Sequence, residues 1–498
     1  MDSSSRRWAS SILLLVVTAV IAATPGVDAR GPAGEVVVSR ADAIADVEWL
    51  FAALERIHPD PYFVRSRELV AADRQRLVDA LPESVTRDQL WSRLATLVAT
   101  LGDGHTEVPP RMAFLDALAT LFREGTLPAN QSRPFERIRL FPPASVILDA
   151  DRHLIVTSAS LAEGFERGDR VVSINDHDAD RLIADLMRET SGDNDAHRAM
   201  AVVASLTDLL AMHAVVAPYR LTVAGADGRE RSASIEGTTM QSLVDAQRGR
   251  APGFDYRAFD SGVGYVNLVS LAGDWGDYKK NLSAMFRKLA DEEAATLIVD
   301  LRSNGGGYTE FGEELLRYLT RTPYRSWTRQ ELKRSKELRD SVDIAAPVRW
   351  PPFKYLFPDT RRIFTGAPGT TAVWTQTELK TPRRAEPFFN GTVCVLTGPA
   401  TFSAAAILAD TIKTYHLATL VGEETGGRPN TTMEPVAYLL PRSRFAVSIA
   451  TGRSVRANGK AGDLNPVIPD ILVRTTIEDI RAGRDAVLER ARSCPPRQ

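Results

Sequence analysis

The stretch GPATFSAAAILADTIK, residues 398–413, follows an apolar run at residues 393–396 with one threonine between them. An apolar run, a Gly/Pro/Thr turn and an Ala-rich amphipathic stretch are typical of a buried strand that leads into a helix. One serine, Ser403, lies at this junction. It can cap the helix, or it can be a nucleophile at a helix N-terminus, where the dipole favours developing negative charge.

The strand-to-helix pattern at Ser403 is repeated along the second half of the chain. From residue 255 onward, strand-like runs and amphipathic helical stretches alternate, which predicts α/β units with largely parallel pairing. The preceding part of the chain differs, since it is helical at first and then rich in short β runs. We therefore predict a helical domain at residues 30–135, a β-rich domain at 136–240, and an α/β core at 250–498 with an insertion at 322–390.

Composition limits the classes of partner. The chain has 498 residues, of which 44% are hydrophobic and 25% charged, values that are ordinary for a globular protein. Its formal net charge is −2 and it contains no long basic block. These features argue against nucleic acid or an anionic membrane surface as the main partner.

The N-terminus has the pattern of a secretory signal peptide. Arg6 and Arg7 precede an apolar stretch at residues 12–23, and small residues at Val27 and Ala29 suit a cleavage site. The apolar stretch is short for a transmembrane helix. We expect residues 1–29 to be removed and the protein to be exported to the periplasm, cell envelope or extracellular space without a stable membrane anchor.

The chain contains two cysteines, Cys394 and Cys494. A disulfide between them remains open at this point, whereas no cysteine framework or metal-ligand spacing exists. No nucleotide-binding motif is present either. The sequence therefore predicts no cofactor and no metal.

Two stretches besides Ser403 contain candidates for chemistry. In DLRSNGGG, residues 300–307, the glycines follow a strand-like run and allow a sharp turn whose N–H groups can point at an anion. In GDGHT, residues 102–106, the Gly-flanked turn allows the ring of His105 to project into a cleft. Each pattern is also compatible with a plain turn.

A third stretch, GDLNPVIPD at residues 462–470, contributes carboxylates. Asp463 or Asp470 can orient a histidine, and either can instead be a turn residue.

Together these stretches resemble the core of the C-terminal-processing (tail-specific) serine peptidase family, which includes tricorn-type proteases and the modules of interphotoreceptor retinoid-binding protein. The resemblance covers most of the mature chain. HPDPYF at residues 58–63 and LGDGHT at 101–106 resemble the His-bearing branch, and GDRVVSIND at 168–176 resembles part of a PDZ-like domain. The family implies a multidomain α/β (α+β) fold with a helical N-terminal domain, a PDZ-like domain and a ClpP/crotonase-like α/β catalytic core.

The resemblance also implies roles for individual residues. Ser403 corresponds to the nucleophile, and the backbone amides of Gly306 and Ala404 correspond to the oxyanion hole. Where the Ser/Lys branch has its lysine, this chain has Arg428, which stays protonated and cannot act as a base. His105 matches the base of the tricorn-like branch, and Asp463 falls where that branch usually has its glutamate.

Two positions depart from the family pattern. Gly104 stands where the tricorn type has a serine, and Ala406 stands where a glutamate is common. The leading hypothesis is a secreted serine endopeptidase that acts on a peptide or protein, with capture through the substrate C-terminus at the PDZ-like domain as one option. The departures motivate an alternative, a non-catalytic module that binds apolar ligands or peptides on the same fold. A crotonase-like acyl-thioester enzyme is disfavoured by the predicted export.

Overall fold

The computed structural model describes residues 37–110, 139–142, 145–239, 254–259, 262–344 and 357–495. The predicted signal peptide at residues 1–29 lies outside these ranges. Within them, no helix combines the length and the apolar character needed to cross a membrane.

The described N-terminal part is helical, as its capping patterns predict. Ser39 caps the first helix by accepting from the Asp42 amide, and Thr86 forms a capping box with Gln89 at the third. Their apolar faces are buried in one cluster that includes Trp91. The elements are β1 (Val37–Ser39), α1 (Arg40–Ile57), α2 (Arg67–Asp79), β2 (Ser84–Thr86) and α3 (Arg87–Ala99), with β1 and β2 antiparallel.

A second unit is an antiparallel sheet with three helices. Its strand order is β3-β4-β5-β7-β8, and β6 pairs with β5. Helix α4 packs against β5 and α3, whereas α5 packs against β3. The elements are β3 (Val146–Leu148), β4 (Leu154–Val156), β5 (Arg170–Ile174), β6 (His177–Asp178), α4 (Ala179–Glu189), α5 (Asp195–Ala204), α6 (Leu206–Met212), β7 (Tyr219–Ala224) and β8 (Glu230–Ile235).

The central sheet is the predicted α/β core. Its order is β18-β15-β14-β11-β10-β9, and all pairs are parallel except β9 with β10. Buried apolar runs in the middle strands are expected where helices cover both faces. The elements are β9 (Asp255–Phe259), β10 (Val263–Asn267), α7 (Trp275–Asp291), β11 (Thr296–Asp300), α8 (Thr309–Leu319), β14 (Thr392–Thr397), α11 (Ala404–Thr414), β15 (Thr419–Gly422) and β18 (Ile471–Leu472).

Strand pairing in this sheet brings two motifs together. Asp300, the last residue of β11, is in register with Leu396 of β14. The glycine turn and the Ser403 turn therefore leave the sheet at the same edge, since the carboxyl ends of parallel strands meet there.

Another sheet, with order β13-β12-β17-β16, is antiparallel throughout. The sequence predicts an insertion over the core at residues 322–390, and the described part of that segment supplies two of these strands. The elements are β12 (Trp327–Lys333), α9 (Lys336–Ile344), α10 (Pro358–Phe364), β13 (Thr371–Thr375), β16 (Thr432–Leu439) and β17 (Ala446–Arg456).

The C-terminal segment is joined covalently to the core. It forms α12 (Ile477–Ala482) and α13 (Ala486–Arg492), and α13 buries Val487 and Ala491 against the central sheet. A disulfide connects Cys394 of β14 to Cys494, with the two Cα atoms 6.4 Å apart. The pairing that the sequence left open is therefore made in the structure.

Candidate active site

Ser403 occupies the turn between β14 and α11. Its backbone has φ 50° and ψ −124°, a conformation that a residue with a Cβ adopts at a cost, commonly at functional sites. The side chain makes no capping hydrogen bond to the first turn of α11. Helix capping therefore does not explain this serine, and the sharp strand-to-helix turn resembles the elbows that present nucleophiles.

His105 faces Ser403. The loop that follows α3 places His105 Nε2 3.1 Å from Ser403 Oγ, across 298 residues of sequence. The imidazole also stacks on the ring of Phe402, with centroids 4.6 Å apart. This distance is within reach for proton transfer between a nucleophile and its base.

The other ring nitrogen of His105 contacts a hydroxyl. His105 Nδ1 lies 3.2 Å from Thr432 Oγ1, and that hydroxyl donates to Asp103 Oδ1. Thr432 begins β16, and both Thr432 and Asp103 are buried. Sequence reasoning missed both residues.

Asp103 is held from several sides. Its Oδ1 accepts the His105 amide at 2.9 Å, and its Oδ2 lies 2.9 Å from Nε2 of the buried His58. Burial alone would raise the pKa of Asp103, but the hydrogen bond from His58 and the neighbouring ring of His105 hold this pKa well below its usual range. Asp103 is therefore an ionised acceptor in the core of the site.

Burial also tunes the base. Desolvation lowers the pKa of His105 below its ordinary value of 6.5, although Asp103 and Asp193 oppose the shift. His105 is therefore neutral at neutral pH, which is the state that a general base requires.

Asp193 ties the histidine loop to the segment that follows β15. Its carboxylate accepts the backbone amides of Gly104 and Arg428, both at 2.9 Å. The guanidinium of Arg428 donates to the Gly102 carbonyl at 2.7 Å. Arg428 therefore has a structural contact here, consistent with its exclusion as a base, and Asp193 was not foreseen from the sequence.

The two predicted oxyanion donors differ in their availability. Within the described residues, the Ala404 amide donates to no acceptor, and it follows Ser403 directly. The Gly306 backbone contacts Ser403, because a Cβ built on Gly306 would lie 2.7 Å from Ser403 Cβ. However, the Gly306 amide already donates to Asn304 Oδ1 at 2.9 Å. The structure thus differs from the prediction for Gly306, since a side chain in the same turn occupies its donor.

Asp463 is not where the family pattern predicts it. Its carboxylate accepts from the Arg456 guanidinium and from Asn465, and none of its hydrogen bonds reaches His105. Arg456 also pairs with the buried Asp410 of α11. The predicted role in orienting His105 is therefore corrected: Arg456 holds Asp463 at the end of β17, and Thr432 occupies the position beside Nδ1.

The described residues contain no group of three or more side chains suited to hold a metal ion.

Comparisons with known proteins bear on the family and the fold of this chain. The family described as Peptidase family S41 matches residues 262–473, so the chain carries a domain of this family, the C-terminal-processing serine peptidases, as the sequence predicts. This family supports a serine-type peptidase. A comparison with curated proteins finds no match.

Solved structures share the fold. Mature CPAF complexed with lactacystin is 15% identical with a TM-score of 0.59, and the alignment covers 91% of this chain and 97% of that one. A serine-to-alanine mutant of CPAF is 14% identical with a TM-score of 0.61, covering 92% of this chain and 98% of that one. The predicted α/β fold class is confirmed.

Proposed function

We propose that this protein is an exported serine endopeptidase that cleaves peptide bonds through an acyl-enzyme on Ser403, with His105 as the general base. The observation that carries the proposal is the 3.1 Å approach of His105 Nε2 to the hydroxyl of Ser403. That hydroxyl lies on a strained turn and caps no helix. A structural serine would gain nothing from this conformation.

The geometry supports the usual two-step sequence. Ser403 Oγ attacks the scissile carbonyl carbon while His105 Nε2 takes the hydroxyl proton, and the carbonyl oxygen becomes an oxyanion. The intermediate collapses as the C–N bond breaks, and Nε2–H protonates the leaving amine. Water then attacks the acyl carbon with its proton passing to Nε2, and the ester bond to Oγ breaks as Ser403 regains a proton.

The Ala404 amide is the donor best placed for the oxyanion. One such donor typically contributes about 3 kcal/mol to transition-state stabilisation. The Gly306 amide joins it only when it leaves Asn304 Oδ1. Substrate binding would therefore complete the oxyanion hole.

The substrate is a peptide or protein, and we propose that the PDZ-like unit at residues 136–240 captures its C-terminus. A sheet edge supports this role, because an extended peptide can add to it as a further strand. A cavity of about 670 Å³ lies beside the edge strand β8, lined by residues 161–163 and 233–238 among others. Capture there would raise the effective concentration of the chain at the cleft.

The test compares peptide-library cleavage by the mature wild type, Ser403→Ala and the control Ser160→Ala, which removes an exposed serine. We expect cleavage by the wild type and the control and none by Ser403→Ala. Turnover by Ser403→Ala would refute the proposal. Failure of folded wild type to cleave any peptide, combined with tight binding of apolar ligands, would favour the non-catalytic module instead.

Two finer parts of the proposal have their own tests. Ser403→Ala should bind a fluorescent peptide with a free C-terminal carboxylate more tightly than the same peptide as a C-terminal amide; equal affinity would contradict C-terminal capture. N-terminal sequencing of the exported protein should begin near Arg30. An intact N-terminus in the cell interior would contradict export.

A further inference from the structure

The group that orients His105 is the unexpected part of this site. In the familiar triad, a carboxylate contacts the second ring nitrogen directly and fixes the tautomer of the imidazole. Here His105 Nδ1 contacts the hydroxyl of Thr432 at 3.2 Å, and the carboxylate of Asp103 lies behind that hydroxyl. The aspartate expected from the family pattern, Asp463, is bound by Arg456.

The direction of each hydrogen bond follows from the number of protons available. A threonine hydroxyl has one proton to donate and lone pairs to accept, whereas an ionised carboxylate only accepts. Because Asp103 is ionised, the Thr432 proton points at Asp103 Oδ1. Thr432 Oγ1 can then only accept from His105, so the proton of the imidazole resides on Nδ1.

The opposite arrangement is unfavourable. If Thr432 donated to His105 Nδ1, its oxygen lone pairs would face the carboxylate of Asp103 at hydrogen-bond distance with no proton between them. The proton on Nδ1 leaves Nε2 unprotonated beside the Ser403 hydroxyl, which is the tautomer that can accept the serine proton.

Asp103 is itself fixed by His58. His58 Nδ1 accepts the Asp60 amide at 3.1 Å, so its ring proton resides on Nε2 and is donated to Asp103 Oδ2. His58 and Asp103 are each 1% exposed, which shields the ion from water. The chain of contacts thus runs from His58 through Asp103 and Thr432 to His105, and each member has its polar atoms satisfied.

We propose that Thr432 and Asp103 are positioning residues that hold His105 in the tautomer required of the base, through one intervening hydroxyl. This inference rests on the proposed function of the Ser403–His105 pair. It assigns this role to two residues, Thr432 and Asp103, that the sequence analysis did not select. The imidazolium formed during acylation is stabilised by the same path, because Nδ1–H donates more strongly when the ring is charged.

The experiment measures the rate at which a fluorophosphonate phosphonylates Ser403, with loss of fluoride, as a function of pH. Thr432→Val removes the hydroxyl at nearly constant volume, and we expect the rate to fall about 100-fold, within the range of general-base effects. Thr432→Ser restores the hydroxyl and should stay within about threefold of wild type. The control Thr411→Val removes another buried hydroxyl, one bonded to the Ile407 carbonyl in α11, and should leave the rate unchanged.

The pH profile separates positioning from a structural role. Loss of the bond to Nδ1–H destabilises the imidazolium, so the acidic limb of the Thr432→Val profile should move to lower pH. A residue that only supports packing would lower the rate without moving this limb. Thr432→Val with a wild-type rate and an unmoved limb would overturn the proposal.

A second measurement needs no variant. The ¹⁵N chemical shifts of His105 in the wild type, recorded above its pKa, should show the proton on Nδ1; a proton on Nε2 would overturn the proposal even if Thr432→Val fails to fold.

The proposed function of Ser403 and His105 and the positioning role of Thr432 and Asp103 are contradicted by different results. Absence of phosphonylation of wild-type Ser403 would refute the proposed function, whereas normal phosphonylation with the wrong tautomer would refute only the role of Thr432 and Asp103.

Discussion

Replacement of Gly306 by alanine should damage the site, whereas the same change at Gly305 should not. Gly306 has φ +105°, a conformation that residues with a Cβ rarely adopt. The added Cβ would lie 2.7 Å from Ser403 Cβ, 2.9 Å from the Phe402 carbonyl oxygen and 3.0 Å from the Ala404 amide. These neighbours are backbone or backbone-proximal atoms, so no flexible side chain can move aside.

The expected size of the effect follows from these contacts. The backbone conformation costs about 1–3 kcal/mol for alanine, and the overlap adds about 1–3 kcal/mol, as for overpacked cores. The overlap also pushes Ser403 away from His105, and a displacement of about 1 Å can lower a rate about 100-fold. At Gly305 a Cβ would meet no atom within 4 Å, and no left-handed φ is involved.

Two measurements on both variants test this prediction. Chemical denaturation should show that Gly306→Ala loses a few kcal/mol, whereas Gly305→Ala should change by less than about 1 kcal/mol and in the stabilising direction. Phosphonylation of Ser403 by a fluorophosphonate should be strongly slowed only in Gly306→Ala. Equal stability and equal phosphonylation rates in the two variants would refute the contact argument.

Three further predictions concern other parts of the molecule. In Asp463→Asn, a fluorophosphonate should phosphonylate Ser403 within about threefold of the wild-type rate, since Asp463 pairs with Arg456; a loss of about 100-fold would return Asp463 to the catalytic network. Burial lowers the pKa of His197 from 6.5 to about 4. The unfolded chain therefore binds this proton more readily than the folded one, so the free energy of unfolding is full above pH 6.5 and falls by up to about 3 kcal/mol as the pH drops towards 4. Denaturation curves across that window should show the decline in wild type and a shallower one in His197→Gln; equal slopes would contradict it. The Cys394–Cys494 disulfide closes 100 residues, so the double alanine variant should lose up to about 5 kcal/mol of unfolding free energy, and unchanged stability would contradict the chain-entropy argument.

The central sheet and the Ser403 turn could be predicted from local patterns. The apolar run that forms β14, the Ala-rich helix α11 and the glycine turn after β11 each leave a signal within about 15 residues of sequence. Pairing of β11 with β14 then follows from the parallel α/β pattern, and it brings the two turns to one edge. His105 left a weaker signal, and the family resemblance was needed to select it.

Thr432 could not be found from sequence because its proximity to His105 is a long-range effect. The two residues are 327 positions apart. Strand β16 reaches the site only as an edge strand of the β13-β12-β17-β16 sheet. Asp103 offered a faint signal, since it lies two residues before His105. Its pairing with His58 gave none.

The β13-β12-β17-β16 sheet was not predicted, for a related reason. Strand β12 has one buried residue followed by partly buried and exposed ones, so its alternation is weak. Its stability comes from pairing with β17, which lies more than 100 residues further along the chain. Asp463 failed as a prediction because Arg456, at the end of β17, is close enough to bind it.

The central claim is that Ser403 and His105 act together as nucleophile and base, and covalent labelling of Ser403 tests it most directly. Mature wild type, Ser403→Ala, His105→Ala and the exposed-histidine control His177→Ala would be treated with a fluorophosphonate, and the modified residue mapped by mass spectrometry. We predict a single adduct on Ser403 in wild type and the control, none in Ser403→Ala, and a rate at least about 100-fold lower in His105→Ala. An adduct on another residue, or an unchanged rate in His105→Ala, would contradict the account.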